Sequence, residues 1–161
     1  MKKQTRFLET IPNLLLLFLF LACMLAVLLG GARVYQKVSS VLEAQYATTT
    51  CINYISAKVR HYDKQGGIGM EKIENSDALA LYETYDGEKF VTYIYSADGY
   101  LMELFCSTEG DFLLQDGQQI MPIDDLQFAL NEQVISVVCR YNEEEATSVL
   151  AIHSRGEGTL E

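Results

Sequence analysis

Most of the reactive chemistry open to this chain lies in six residues: Cys23, Cys51, Cys106, Cys139, His61 and His153. Zinc sites need such side chains at short intervals, as in C-x-x-C; here they are scattered singly. His61 lies among polar residues and His153 near the C-terminus. Asp124-Asp125 and Glu143–Glu145 offer oxygen ligands of the kind calcium takes, but without EF-hand spacing. A solvated acidic turn accounts for them more simply. HExxH, GxSxG and the phosphate-binding loop are absent. The residues therefore point away from catalysis: no enzyme activity, cofactor, metal or small-molecule substrate is expected.

Charge narrows the partners. The 161 residues carry a net charge of −10, unevenly placed. Lys2, Lys3, Arg6 and Arg33 stand against Glu9 at the front, whereas eight basic and twenty-one acidic residues follow from Val34 onward. Nucleic acid is not an expected partner, because phosphate binding needs a basic surface.

The elements that could position anything begin with an apolar run. Leu14, Leu15, Leu16, Leu17, Phe18, Leu19, Phe20 and Leu21 lead into Ala22, Ala26 and Leu29 with no charge, proline or glycine, and Gly30 follows. Ile11 to Leu29 is nineteen residues, close to the ~20 that cross a hydrocarbon core and longer than a signal-peptide apolar region. The reading is a short cytoplasmic N-terminus over 1–11, a transmembrane segment over 12–33 and an extracytoplasmic domain over 34–161. Lys2, Lys3 and Arg6 ahead of the span put the N-terminus inside. Pro12 suits the first helical turn, where an N–H has no partner in any case. Two alternatives remain: cleavage after Ala32, which follows Gly30-Gly31, and lipidation at Cys23 behind "FLA".

The helical rhythm continues beyond the span. Val34, Val38, Val41, Leu42, Ile52, Ile55, Val59 and Tyr62 mark one face, with Gln36, Lys37, Ser40, Glu43, Lys58 and Arg60 mostly opposite. Thr48-Thr49-Thr50 weakens the helix locally, and Gly66-Gly67 ends it. Val38, Val41, Ile52, Ile55 and Val59 are expected to pack on a sheet. That sheet follows from period-two runs broken by Asp86-Gly87 and Asp98-Gly99, a strong hairpin signal. Strands are expected near 78–84, 89–96, 100–106, 133–141 and 146–154, while Pro122 excludes a central strand around it. Cys106 and Cys139 each end such a run, so a disulfide between them is one expectation and free buried thiols the other. The fold class is α+β: a long N-terminal helix, transmembrane then amphipathic, packed on an antiparallel sheet.

An apolar helix continued by an amphipathic stem, then glycines, then antiparallel hairpins resembles a type IV pilin or minor pseudopilin. "CINYISAKVRHYDKQGGI" and "FVTYIYSADGYLMELFC" carry the resemblance, which is nearest to a small clostridial Firmicutes family of unknown function. It implies a pilin-like fold and a structural role in a type IV pilus, competence or type II-like secretion assembly. The partners would be the membrane and other pilin-like subunits or envelope proteins. Pilin precursors carry Gly before the cleavage point and Glu five residues after it; Glu9 here places Gln4 before the cut. The subunit implied is thus an unprocessed or atypical one. The alternative is a stand-alone anchored, or signal-peptide-released, domain that binds another envelope protein.

Overall fold

The computed structural model describes residues 2–73, 76–110, 112–131 and 133–153. One helix, α1 (Lys2–Tyr62), is followed by β1 (Ile68–Ile73), β2 (Ser76–Tyr85), β3 (Glu88–Ala97) and β4 (Tyr100–Ser107). A 3₁₀ turn (Leu114–Asp116) precedes β5 (Gln118–Pro122), β6 (Asp125–Asn131), β7 (Val134–Tyr141) and β8 (Glu144–Ala151). The fold is α+β, with the helix packed on antiparallel sheet. The chain divides into two compact units, Met1–Ser40 and Val41–Glu161.

In the first unit the described residues are helical, and every side chain from residue 11 to residue 40 is exposed. Pro12 lies inside α1 and not at its first turn, so the helix forgoes the hydrogen bond that residue 12 would have donated.

In the second unit the strands form two meanders. The order is β1-β2-β3-β4-β5 in one sheet and β6-β7-β8 in the other, all antiparallel. The Asp-Gly hairpins fall where expected. Asp86 and Gly87 have φ of 51° and 88°, and Asp98 and Gly99 have 51° and 77°. Two successive left-handed residues match the twist of the flanking strands. The β7–β8 turn uses the same geometry with Asn142 (φ 48°) and Glu143 (φ 69°). No glycine marks it in the sequence.

The division into two sheets is new relative to the sequence reading, and its cause lies at one peptide. Ile123 N–H donates to Gly99 O (3.0 Å) in the first sheet, and Asp124 N–H donates to Arg140 O (2.8 Å) in the second. Pro122, which has no N–H, ends β5 at the sheet edge just before this switch.

The core lies between the stem of α1 and both sheets. Cys51, Ile55 and Val59 join Leu79, Leu81, Ile94, Leu101, Ile135, Val137 and Cys139 in one buried cluster, with Ile52 packed at its margin. Val41 is half-buried. Val38 does not pack on a sheet: it is 52% exposed, as Leu42 is exposed. The buried series is Ala44, Thr48, Cys51, Ile55, Val59; Val38 lies about 100° round the helix from the centre of that series and precedes its first buried turn. The threonine run does not break the helix. Thr48 Oγ1 donates back to Ala44 O (3.1 Å), and that residue's burial outweighs its weak helix propensity. Lys58 is also placed differently from the sequence reading. It is half-buried, not on a wet face, and its Nζ meets Glu103 Oε1 of β4 at 2.7 Å.

The second face of the larger sheet is also buried. Ala78, Ala80, Val91, Tyr93, Tyr95, Met102 and Leu104 form a separate cluster, against which Phe112 and Leu114 of the β4–β5 connection pack. Strands covered on both faces read as continuous apolar runs, as "ALAL" and "VTYIY" do.

Candidate functional site

The first candidate is the apolar part of α1. Leu14 through Leu21, Met24, Leu25, Val27, Leu28 and Leu29 are each more than half exposed. A helix apolar all round belongs in lipid or inside a bundle. It is the one helix among the described residues long and apolar enough to cross a membrane. Ala22, Ala26 and Gly30 are exposed too, and an added Cβ at Gly30 or Gly31 would meet nothing within 4 Å. These small residues let another helix approach closely.

The second candidate is the polar seam on the sheet unit. α1 sends Tyr54 and Lys58, one helical turn apart, to the same carboxylate. Tyr54 Oη donates to Glu103, and Lys58 donates to its other oxygen. Lys58 also lies 5.5 Å from the Tyr54 ring centroid. Burial, and then the Glu103 carboxylate, push the Tyr54 phenol above its ordinary range. Glu71 of β1 plays the matching part on the larger sheet. It accepts from Tyr82 Oη and from Tyr93 Oη, the latter at 2.7 Å. Both phenols are raised, first by burial and then by Glu71.

Beside the end of α1 lies an open groove of about 900 Å³, lined among others by His61, Lys64, Gly67, Glu71, Lys89 and Thr108. Its central carboxylate already holds two phenols. His61 lies edge-on to Tyr62, and His153 Nδ1 sits 3.0 Å from Asp63 Oδ2.

The acidic turn residues are also engaged. Asp124 Oδ2 accepts the Asn142 N–H (2.7 Å), and Arg140 spans Asp125 (3.1 Å) and Glu145 (2.6 Å). Among the described residues no group of three or more His, Cys, Asp and Glu side chains converges.

The cysteines are arranged otherwise than the strand ends suggest. All four are free thiols. Cys106 belongs to the larger sheet, on the face of the Tyr93 cluster. Cys139 belongs to the smaller sheet and faces the helix cluster. The Cys106–Cys139 pairing is therefore not formed, because the chain changes sheets between the two strands. The thiol that shares a buried cluster with Cys139, and most influences its ionisation, is Cys51 of α1.

A family profile described as a domain of unknown function (DUF4860) matches residues 46–142. The chain belongs to the DUF4860 family. No curated protein and no solved structure matches it. The DUF4860 match begins at Tyr46, within α1, and ends at Asn142, in the β7–β8 turn. It thus takes in Cys51, Tyr54, Ile55, Lys58, Glu71, Glu103 and Cys139, and leaves out the whole apolar span.

The phenol–carboxylate contacts of the DUF4860 domain give it a defined alkaline limit. An unfolded tyrosine ionises near pH 10, and Tyr54, Tyr82 and Tyr93 ionise higher in the fold. Stability from the neutral phenols is therefore complete below about pH 10 and is lost as pH climbs through the raised folded values. Urea midpoints of the full-length protein in detergent should be flat from pH 8 to about 9.5 and fall steeply above about pH 10. Tyr82→Phe/Tyr93→Phe should start lower, with Glu71 left short of donors, and fall less steeply. Equal alkaline slopes in the two proteins would refute the assignment.

Proposed function

We propose that this chain is a minor pseudopilin-like structural subunit of a type IV pilus, competence or type II-like secretion assembly. Its role is polymerisation and not catalysis. The apolar helix bundles with the helices of neighbouring subunits, and the α+β domain, outside the membrane, selects those neighbours. The observation that carries this reading is the apolar surface of α1. It covers every side of the helix from Leu14 to Leu29 and includes small residues suited to close helix contact. The stem of the same helix then forms part of a domain core.

A photo-crosslinking residue at Ala22, in cells that make the protein at native level, tests this. The expected result is a discrete adduct with the span of a pilin-like protein. Adducts with lipid alone would overturn it.

A second reading has its own support. The family match omits the span, so the domain could be the working part and α1 merely its tether to the membrane. In that reading the domain binds another envelope protein, and the same crosslinker at Ala22 captures lipid.

A further inference from the structure

We propose that Cys51 and Cys139 form a disulfide when the folding chain meets a disulfide oxidant, and that this bond ties the stem of α1 to the three-stranded sheet. Each residue has no exposed surface. Cys51 continues the stripe Ala44, Thr48, Cys51, Ile55, Val59, and Cys139 continues the inward series Ile135, Val137, Cys139 of β7. The two series meet in one buried cluster, and there each thiol is the first influence on the other's ionisation, as neighbouring sulfurs are. An isolated buried thiol acts as a small apolar side chain; two that share one buried cluster and act on each other are placed for a bond. Cys106, half-buried in the other sheet, has no such partner among the described cysteines.

The oxidant is a small-molecule or protein disulfide. One cysteine thiolate attacks its S–S bond, giving a mixed disulfide and releasing one thiolate. The second cysteine attacks the protein sulfur of that mixed disulfide and releases the other. The protein loses two protons and two electrons, and the oxidant's disulfide becomes two thiols. Since both sulfurs are buried in the fold, exchange takes place before the stem docks, during folding.

The proposal depends on the fold alone and not on the assembly role, and its test needs no assembly. Full-length protein in detergent is unfolded in urea and refolded in a buffer of oxidised and reduced glutathione, with a parallel sample refolded under reductant. The expected product is lighter by two hydrogen atoms. Its digest links the peptides of Cys51 and Cys139, and Cys23 and Cys106 remain open to alkylation once it is unfolded. Closing so long a loop should raise the melting temperature by about 10 °C over the reduced sample. Cys106→Ser should keep both the link and the rise. Cys51→Ala should lose both while still melting cooperatively near the reduced wild type. A link between any other pair, glutathione adducts without a link, or a linked protein that melts below the reduced one would overturn the proposal.

Discussion

Ile55→Asp should cost the domain about 4 kcal/mol, enough to unfold a marginal protein. Ile55 has no exposed surface and belongs to the cluster that joins the stem to strands of both sheets. A carboxylate there meets only apolar neighbours. It must either ionise without a partner or bind a proton, and both are unfavourable. Asn53→Asp supplies the control. It adds the same charge two residues away, on an exposed position of the same helix, and should change stability by no more than ~0.5 kcal/mol. Urea unfolding of the full-length protein in detergent, followed through the near-ultraviolet ellipticity of its ten tyrosines, reads both variants. Similar midpoints would mean that the stem does not hold the sheets together.

Under the proposed assembly role, exchanging Leu14–Leu29 for an unrelated apolar helix of equal length should abolish assembly while leaving the chain anchored in the membrane. Hydrophobicity and length are what insertion needs, and the exchange conserves both. Helix association in lipid depends instead on side-chain shape, because lipid tails are as apolar as leucine. A new span removes Ala22 and Ala26 and the arrangement of leucine and phenylalanine around them. Recovery of pilin-like partners with the exchanged chain should fall by roughly tenfold or more, the equivalent of about 1.4 kcal/mol of lost association. Any dependent export or DNA-uptake phenotype should fall with it. Unchanged recovery would favour the tethered-domain reading.

The parts of this fold that announce themselves in sequence are those where one local rule acts alone. Asp86-Gly87 and Asp98-Gly99 define their hairpins because the turn itself demands left-handed residues. The stripe through Ile55 and Val59 is legible for the same reason, since period 3.6 has no other use there. β6 carries a weaker signal of its own, the alternation of Leu126, Phe128 and Leu130, shorter than the apolar runs of its neighbours. β1 carries no comparable signal: "IGMEKI" is a strand because β2 pairs along it. The change of sheet at Ile123-Asp124 depends on partners far off in sequence. Lys58 shows the same limit, because helical periodicity places it at the boundary of the wet face and only β4 supplies Glu103. As for the site, the apolar span was plain from composition. The meeting of Cys51 with Cys139 was not, because it depends on which strand faces which helix turn.

The meander order carries a consequence for the order of synthesis. Every strand pairs with a neighbour adjacent in sequence, so each hairpin can close as soon as its second strand has been made, without a long search. The stem has no such liberty. Its stripe is made first, yet the residues that complete its burial include Ile135, Val137 and Cys139, near the far end of the chain. Through most of translation the stem therefore waits beside half its core. A ribosome stalled between β5 and β7 leaves a finished five-stranded sheet and an unfinished apolar helix face, the kind of surface that chaperones and quality-control proteases detect.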